Sequence, residues 1–179
     1  MGAPIDHLRR VGEIVDALRA LGLAPVLVGG MALVVLGSRR VTRDFDFVVS
    51  SRPDRLDAAV GALYGHGLEL VSRLDERGDV ASTITSRKVA AIRLRIDAPA
   101  SAHFFSPASG LRVDLLFDYP MPASRLEQQA TPMKIRGHVF HVASREDLLR
   151  LKQLARAARA APGDAEDIAF LEGLADGEP

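Results

Sequence analysis

A diglycine, Gly29-Gly30, closes the apolar run Pro25-Val26-Leu27-Val28 and opens the apolar run Met31 to Leu36; beyond a short basic stretch the chain alternates Asp44-Phe45-Asp46-Phe47-Val48-Val49. That order dictates a strand, a glycine turn into a helix, and a second strand with chemically different faces. In extended backbone successive side chains point to opposite sides, so Asp44 and Asp46 project together while Phe45 and Phe47 enter a core. Two carboxylates held this close repel each other. A divalent cation relieves that repulsion: hard ions such as Mg²⁺ take carboxylate oxygens and keep positions open for phosphate oxygens. Glycine at a helix start lets phosphate approach backbone N–H groups closely. An aspartate pair at an ordinary strand start, behind a plain strand-to-helix turn, is the competing reading of the same residues.

Hydrophobic spacing outlines the rest of the chain. Ile5, Leu8, Val11, Ile14, Val15 and Leu18 recur at helical intervals, with Gly22 as a stop. Arg52 to Tyr64 reads as a helix, with Pro53 near its start and Leu56, Val60 and Leu63 on one face, broken by Gly65 and Gly67. Leu68 to Leu74, Val89 to Ile96, Leu111 to Tyr119 and Met133 to Val142 read as strands. The Ala-, Ser- and Pro-rich segment from Ala98 to Gly110 reads as a hairpin connection. Together these predict an α+β fold, a mixed β-sheet flanked by helices. One domain is expected over 1–179, with a core over about 23–142 and a C-terminal helical part over about 144–175.

Composition removes several classes of function. The chain has no cysteine, which excludes disulfides and thiolate metal sites. Its 23 basic and 23 acidic residues cancel, so any contact with nucleic acid must come from local patches. No apolar run is long enough to span a bilayer and no signal-peptide pattern opens the chain, so the expectation is a cytoplasmic protein with no membrane partner. The histidines are scattered: His7, His66 and His103 stand alone, and His138 and His141 would face opposite sides of a strand. No catalytic or metal role is expected of them. Nor is there a Ser-His-Asp or Walker-type pattern.

Taken in order, Gly29, Gly30, Ala32, Gly37, Arg40, Thr42, Asp44 and Asp46 resemble the core signature of the DNA polymerase β-like nucleotidyltransferase superfamily. The nearest resemblance is to its AbiEii/AbiGii-type branch, which includes MenT-like toxin nucleotidyltransferases. The resemblance implies a third carboxylate on a later strand, and Asp114 within Leu111 to Asp118 takes that place, with Asp97 and Asp118 as fallbacks. Val113, Leu115 and Phe117 would share one face of that strand, and Asp114 the other with Arg112 and Leu116. A carboxylate inside an apolar strand calls for a partner, either a cation or a salt bridge to Arg112 or a neighbouring strand.

Toward the C-terminus, Ser144-Arg145-Glu146-Asp147-Leu148-Leu149, Lys152 and Gly163-Asp164-Ala165-Glu166-Asp167-Ile168 resemble the family's paired helices. Ser144 with Asp147 reads as a capping box. Lys152 would contact the triphosphate and Asp164 would be a second polar anchor, although Pro162-Gly163 stands where the family often has a lysine; Asp167 is assigned to packing or capping. Arg145, Lys152, Arg156 and Arg159 fall within roughly a 60° arc beside the apolar stripe Leu148, Leu151, Ala155 and Ala158, a basic ridge that an anionic substrate could use or water could simply solvate.

The resemblance thus implies a metal-dependent transferase. Asp44, Asp46 and Asp114 would be catalytic and would hold Mg²⁺, or Mn²⁺ in its place, while Gly29, Gly30, Arg40, Thr42, Lys152 and Asp164 would bind the NTP. An NMP would pass to an acceptor hydroxyl, a tRNA 3′ end being the implied one, in a toxin with a cognate antitoxin protein. Two alternatives remain: a small-molecule, antibiotic-type nucleotidyltransferase, and a catalytically inactive nucleotide-binding regulatory module.

Overall fold

The computed structural model describes residues 6–159 and 161–174; Ile5 and Ala175, both assigned to helical parts above, lie outside the described residues. The centre is built from three strands, β1 (Val26–Val28), β2 (Asp44–Val49) and β6 (Arg112–Phe117). The diglycine does what its position requires, since α2 (Gly29–Val35) starts directly on Gly29. β1 and β2 are antiparallel, whereas β2 and β6 run parallel. Outside β6 lie β5 (Ser101–Phe105), β3 (Glu69–Leu74) and β4 (Val80–Ile84); outside β1 lie β8 (His138–Val142) and β7 (Thr131–Ile135). Among the described residues one mixed sheet of eight strands results, in the order β4-β3-β5-β6-β2-β1-β8-β7. With helices packed around it, the fold is α+β.

Alternation along the strands sorts the sheet into two faces. Phe45, Phe47, Val113, Leu115, Ala102 and Phe104 are buried together on one of them. Against this side pack α1 (His7–Ala20), through Val11, Ile14, Val15 and Leu18, and α3 (Leu56–Gly65), through Ala59, Val60 and Leu63. Each Å² of apolar surface removed from water in this layer contributes about 25 cal/mol. Gly12 lets α1 come down onto β8, because a Cβ there would overlap the His138 ring. His138 in turn pairs through Nδ1 with Asp16 at 2.6 Å, so this histidine joins a helix to a strand.

Several elements differ from their sequence reading. Val89 to Ile96 is not a strand but most of a helix, α4 (Arg87–Asp97), capped by Ser86, whose Oγ accepts from the Val89 N–H. The alternation of Ile92-Arg93-Leu94-Arg95-Ile96 suggested period two, yet the buried residues are Ala90, Ala91 and Leu94, at helical spacing, and Val89, Ile92 and Ile96 face outward. Met133 to Val142 is not one strand: Arg136 and Gly137 both take positive φ, 53° and 86°, and turn the chain between β7 and β8. Within Ala98 to Gly110 lies a full strand, β5, and β4 and α5 (Ala123–Gln129) had no signal in the sequence reading. The C-terminal pair is α6 (Arg145–Ala158) and α7 (Asp164–Gly173). Ser144 Oγ accepts from the Asp147 N–H at 3.1 Å, as the capping box requires. No described helix is long and apolar enough to cross a membrane.

Candidate active site

The register of β2 and β6 decides which acids meet. Asp46 is the cross-strand partner of Asp114, and Asp44 of Arg112. Partners on adjacent parallel strands share a face at roughly 4.8 Å strand spacing, so all three carboxylates stand on the side opposite the phenylalanine core. Val28 at the end of β1 pairs with Asp46 from the other flank, which sets the Asp46 carboxylate directly over the start of α2. Gly29 has φ +68°, and a Cβ built on it would collide with Asp46 Oδ2. Gly30 lies equally close to the basic stretch: its Cβ would be 3.0 Å from Arg40 Cζ and 3.1 Å from Thr42 Oγ1. Gly29→Ala is therefore expected to push the Asp46 carboxylate aside and strain a left-handed backbone position, costing about 1 kcal/mol or more of stability, which a urea melt measures.

Charge in the cluster follows from that crowding. Burial, then Asp114 and Asp44 beside it, push the Asp46 carboxyl up to about 7. Asp44 is also raised, mainly by burial, against the pull of Arg112, whose Nε lies 4.0 Å from Asp44 Oδ1. Arg112 is thus not the partner of Asp114. That partner is His103 on β5, directly opposite in the antiparallel register, with Nδ1 3.0 Å from Asp114 Oδ2. The hydrogen bond to Asp114 raises the His103 pKa above its ordinary value. In the sequence His103 stands alone. Its signal was hidden because β5 was not recognised, and only cross-strand pairing brings it to Asp114.

A second group of charges closes the site from the helical side. Lys152 on α6 places Nζ 2.6 Å from Asp167 Oδ2 and 3.6 Å from Asp164 Oδ1, and Arg40 also binds Asp167. Asp167 is therefore more than a packing or capping residue: it is 5% exposed and joins the loop before β2 to both C-terminal helices. Asp164 accepts the Ala161 N–H at 2.8 Å, and this bond, with Lys152 nearby, keeps its pKa below the ordinary value. The Lys152 charge reaches Asp46 and partly offsets the rise in its pKa. Between the two charged groups runs a cleft of about 380 Å³, with Val28, Val48 and Leu116 on the sheet side and Leu148, Leu151 and Ala155 on α6.

Other candidates are engaged elsewhere. Asp118 accepts the N–H groups of Ser51 and Ala123, both at 2.8 Å, and Asp97 pairs with Arg93 at 3.4 Å on the outer side of α4. Neither joins the carboxylate cluster. The basic ridge on α6 does not form as a continuous surface either, because Arg145 binds the Leu171 carbonyl on α7 and Arg159 lies past the end of the helix.

A glycine turn under one carboxylate, two more acids on the same sheet face and a lysine across the cleft make up the candidate site. Residues 14–177 match the family described as nucleotidyl transferase AbiEii toxin, Type IV TA system, and the chain belongs to that family. Among solved structures, the chain is similar to a lincosamide antibiotic adenylyltransferase in its lincomycin-bound form, at 12% identity and TM-score 0.58 over 93% of this chain and 96% of that one. An antigenic nucleotidyltransferase-like protein from Paracoccidioides brasiliensis gives 19% identity and TM-score 0.61 over 96% and 79%. ANT(2'')-Ia in complex with adenylyl-2''-tobramycin gives 14% and 0.56 over 92% and 87%. At these identities the likeness is one of fold. No curated protein sequence matches the chain.

Proposed function

We propose that this chain transfers an NMP from an NTP to an acceptor hydroxyl, with a tRNA 3′ end as the acceptor, as the toxin of a toxin–antitoxin pair. The observation that carries the reading is the register of Asp46 against Asp114, with the Asp46 carboxylate lying over Gly29. Three like charges on one face cost free energy unless a cation or proton joins them, and burial first, then Asp114 and Asp44, raises the Asp46 pKa accordingly. The donors are carboxylate oxygens, the ligand type Mg²⁺ prefers. Among the described residues no three acidic or histidine side chains are closed tightly enough to ligate an ion, Asp114 being turned toward His103. Asp44, Asp46 and Asp114 would hold Mg²⁺, or Mn²⁺ in its place. When bound, the ion would neutralise triphosphate charge and orient it for in-line displacement.

The chain's own groups account for the remaining steps. Gly29 and Gly30 seat phosphate oxygens on backbone N–H groups, and Thr42 and Arg40 line that seat. Lys152 is held by Asp164 and Asp167 at the mouth of the cleft, where it meets developing phosphate charge. The acceptor oxygen bonds to the α-phosphorus as the bond to the pyrophosphate oxygen breaks, and Asp114 takes the hydroxyl proton. His103 must release Asp114 for that role.

Incubation with α-labelled NTPs and separate pools of tRNA and small hydroxyl compounds tests the acceptor. Label is expected on tRNA 3′ ends. Label on small hydroxyl compounds alone would support the second reading, to which the likeness in fold to a lincosamide adenylyltransferase and to ANT(2'')-Ia points. Label on neither pool, with every NTP, would remove the transferase reading in favour of a nucleotide-binding module.

A further inference from the structure

The outer face of α4 is apolar where a solvated helix would be polar. Its inner residues Ala90, Ala91 and Leu94 are buried, and Leu94 lines a small cavity with Ala59 of α3 and with Leu115 and Phe117 of the sheet. On the opposite side Val89, Ile92 and Ile96 follow at i, i+3 and i+7 and form one stripe about two turns long. These residues are 52%, 51% and 77% exposed. Single exposed hydrophobics are ordinary, but three in line are not, and β-branched residues are poorer helix formers than alanine or leucine. About half or more of each is left to water, so the described fold gains little by placing them there.

Basic residues border the stripe. At about 100° per residue Lys88 and Arg95 fall on one side of it and Arg93 on the other. Between α4 and α3 a hollow of about 330 Å³ opens beside Ile92, lined by Arg87, Lys88, Arg95 and Asp57. Arg95 takes Asp57 at 2.6 Å and Arg93 takes Asp97 at 3.4 Å, which leaves Arg87 and Lys88 without an ion pair among the described residues. We infer that the outer face of α4 docks an acidic amphipathic helix of another protein, whose apolar residues lie on Val89, Ile92 and Ile96 and one of whose carboxylates enters the hollow to meet Arg87 and Lys88. A second copy of this chain fits poorly, because a two-fold contact sets Arg87, Lys88, Arg93 and Arg95 against the same cations, with Asp97 alone on each α4 to offset them. Nucleic acid has no use for the stripe. A lipid surface cannot fill the hollow, and the stripe lacks the Trp, Phe and Leu side chains of helices that enter one. Asp44, Asp46 and Asp114 stand on the other side of the sheet, so the docked helix leaves them open and the inference does not depend on the transferase reading.

Two probes test it: a stapled, fluorescent helical peptide with Leu at i, i+3 and i+7 and Glu along both flanks, and its twin with Lys for every Glu. Anisotropy is expected to show the Glu peptide bound at least about tenfold tighter than the Lys peptide. Ile92→Ser should weaken the Glu peptide by about tenfold, and Lys88→Glu should weaken it by about fivefold while strengthening the Lys peptide. Both positions are exposed, so the variants should melt with the parent. A Glu peptide that does not bind, or whose binding neither substitution moves, overturns the inference. Binding of phosphatidylglycerol vesicles or duplex RNA that falls on Ile92→Ser, with the Glu peptide unbound, assigns the face to lipid or RNA and overturns it too. So does a dimer in sedimentation that Ile92→Ser dissolves.

Discussion

Asp46→Asn is expected to lower Mg²⁺-dependent transfer by on the order of 10³-fold, the scale of losing one preorganised electrostatic group at a reacting phosphate, and at the same time to raise the melting temperature at pH 8 in chelator. The second effect follows from the electrostatics of the apo cluster. Burial and the neighbouring acids lift the Asp46 carboxyl to about 7 from an ordinary 3.8, so the folded state binds its proton more tightly than the unfolded state does. Its contribution to stability is fully present below about pH 4 and is lost as pH rises through about 7. At pH 8 the buried anion costs on the order of 4 kcal/mol, taking about 1.4 kcal/mol for each tenfold change in equilibrium. An amide removes that charge. The variant should therefore be the more stable protein at pH 8 and indistinguishable near pH 4, and Mg²⁺ should narrow the gap by stabilising the parent alone. Scanning calorimetry across this range reads the effect. Undiminished transfer would remove the catalytic assignment, and a variant melting below the parent at pH 8 would contradict the buried anion.

Removing Asp167 should produce the largest loss of stability. Its buried side chain lies between those of Lys152, 18% exposed, and Arg40, 34% exposed. Asp167→Ala leaves two cations facing each other across a desolvated gap. Breaking a buried pair from one side costs about 3 kcal/mol or more, equivalent to a fall of roughly 6 to 12 °C in melting temperature for a chain of this size. Because Asp167 joins α6, α7 and the loop carrying Arg40, nucleotide affinity should fall with it. Adding Lys152→Met to Asp167→Ala should recover part of the stability, since deleting both charges of a buried pair costs less than deleting one, but none of the affinity. A melting temperature for the single variant within 2 °C of the parent would show that the network carries little energy.

The sequence was most readable where a pattern repeats over a few residues. Phe45 and Phe47 are buried opposite Asp44 and Asp46, and Val113 and Leu115 opposite Asp114. The Val11-to-Leu18 stripe became the packed face of α1. The family resemblance located Asp114 and Lys152, which no local periodicity could have done. Reading failed where local patterns conflict: Ile92 to Ile96 alternates like a strand, but a Ser86 cap and small buried alanines make it helical. It failed again where a short strand has little pattern of its own, as with β5, and with it went His103.

The chain's own residue order was enough to specify the glycine turn, the two-faced β2 strand, the amphipathic first helix and the absence of thiol chemistry, because each depends on backbone sterics or side-chain alternation over a few neighbours. Only tertiary structure decided that Asp114 meets His103 rather than Arg112, that Asp167 joins Arg40 to Lys152, and that an apolar slot opens beside Asp46. Those pairings depend on strand register and helix docking between segments far apart in the chain, where distance and burial set the energy of a charge and composition alone does not.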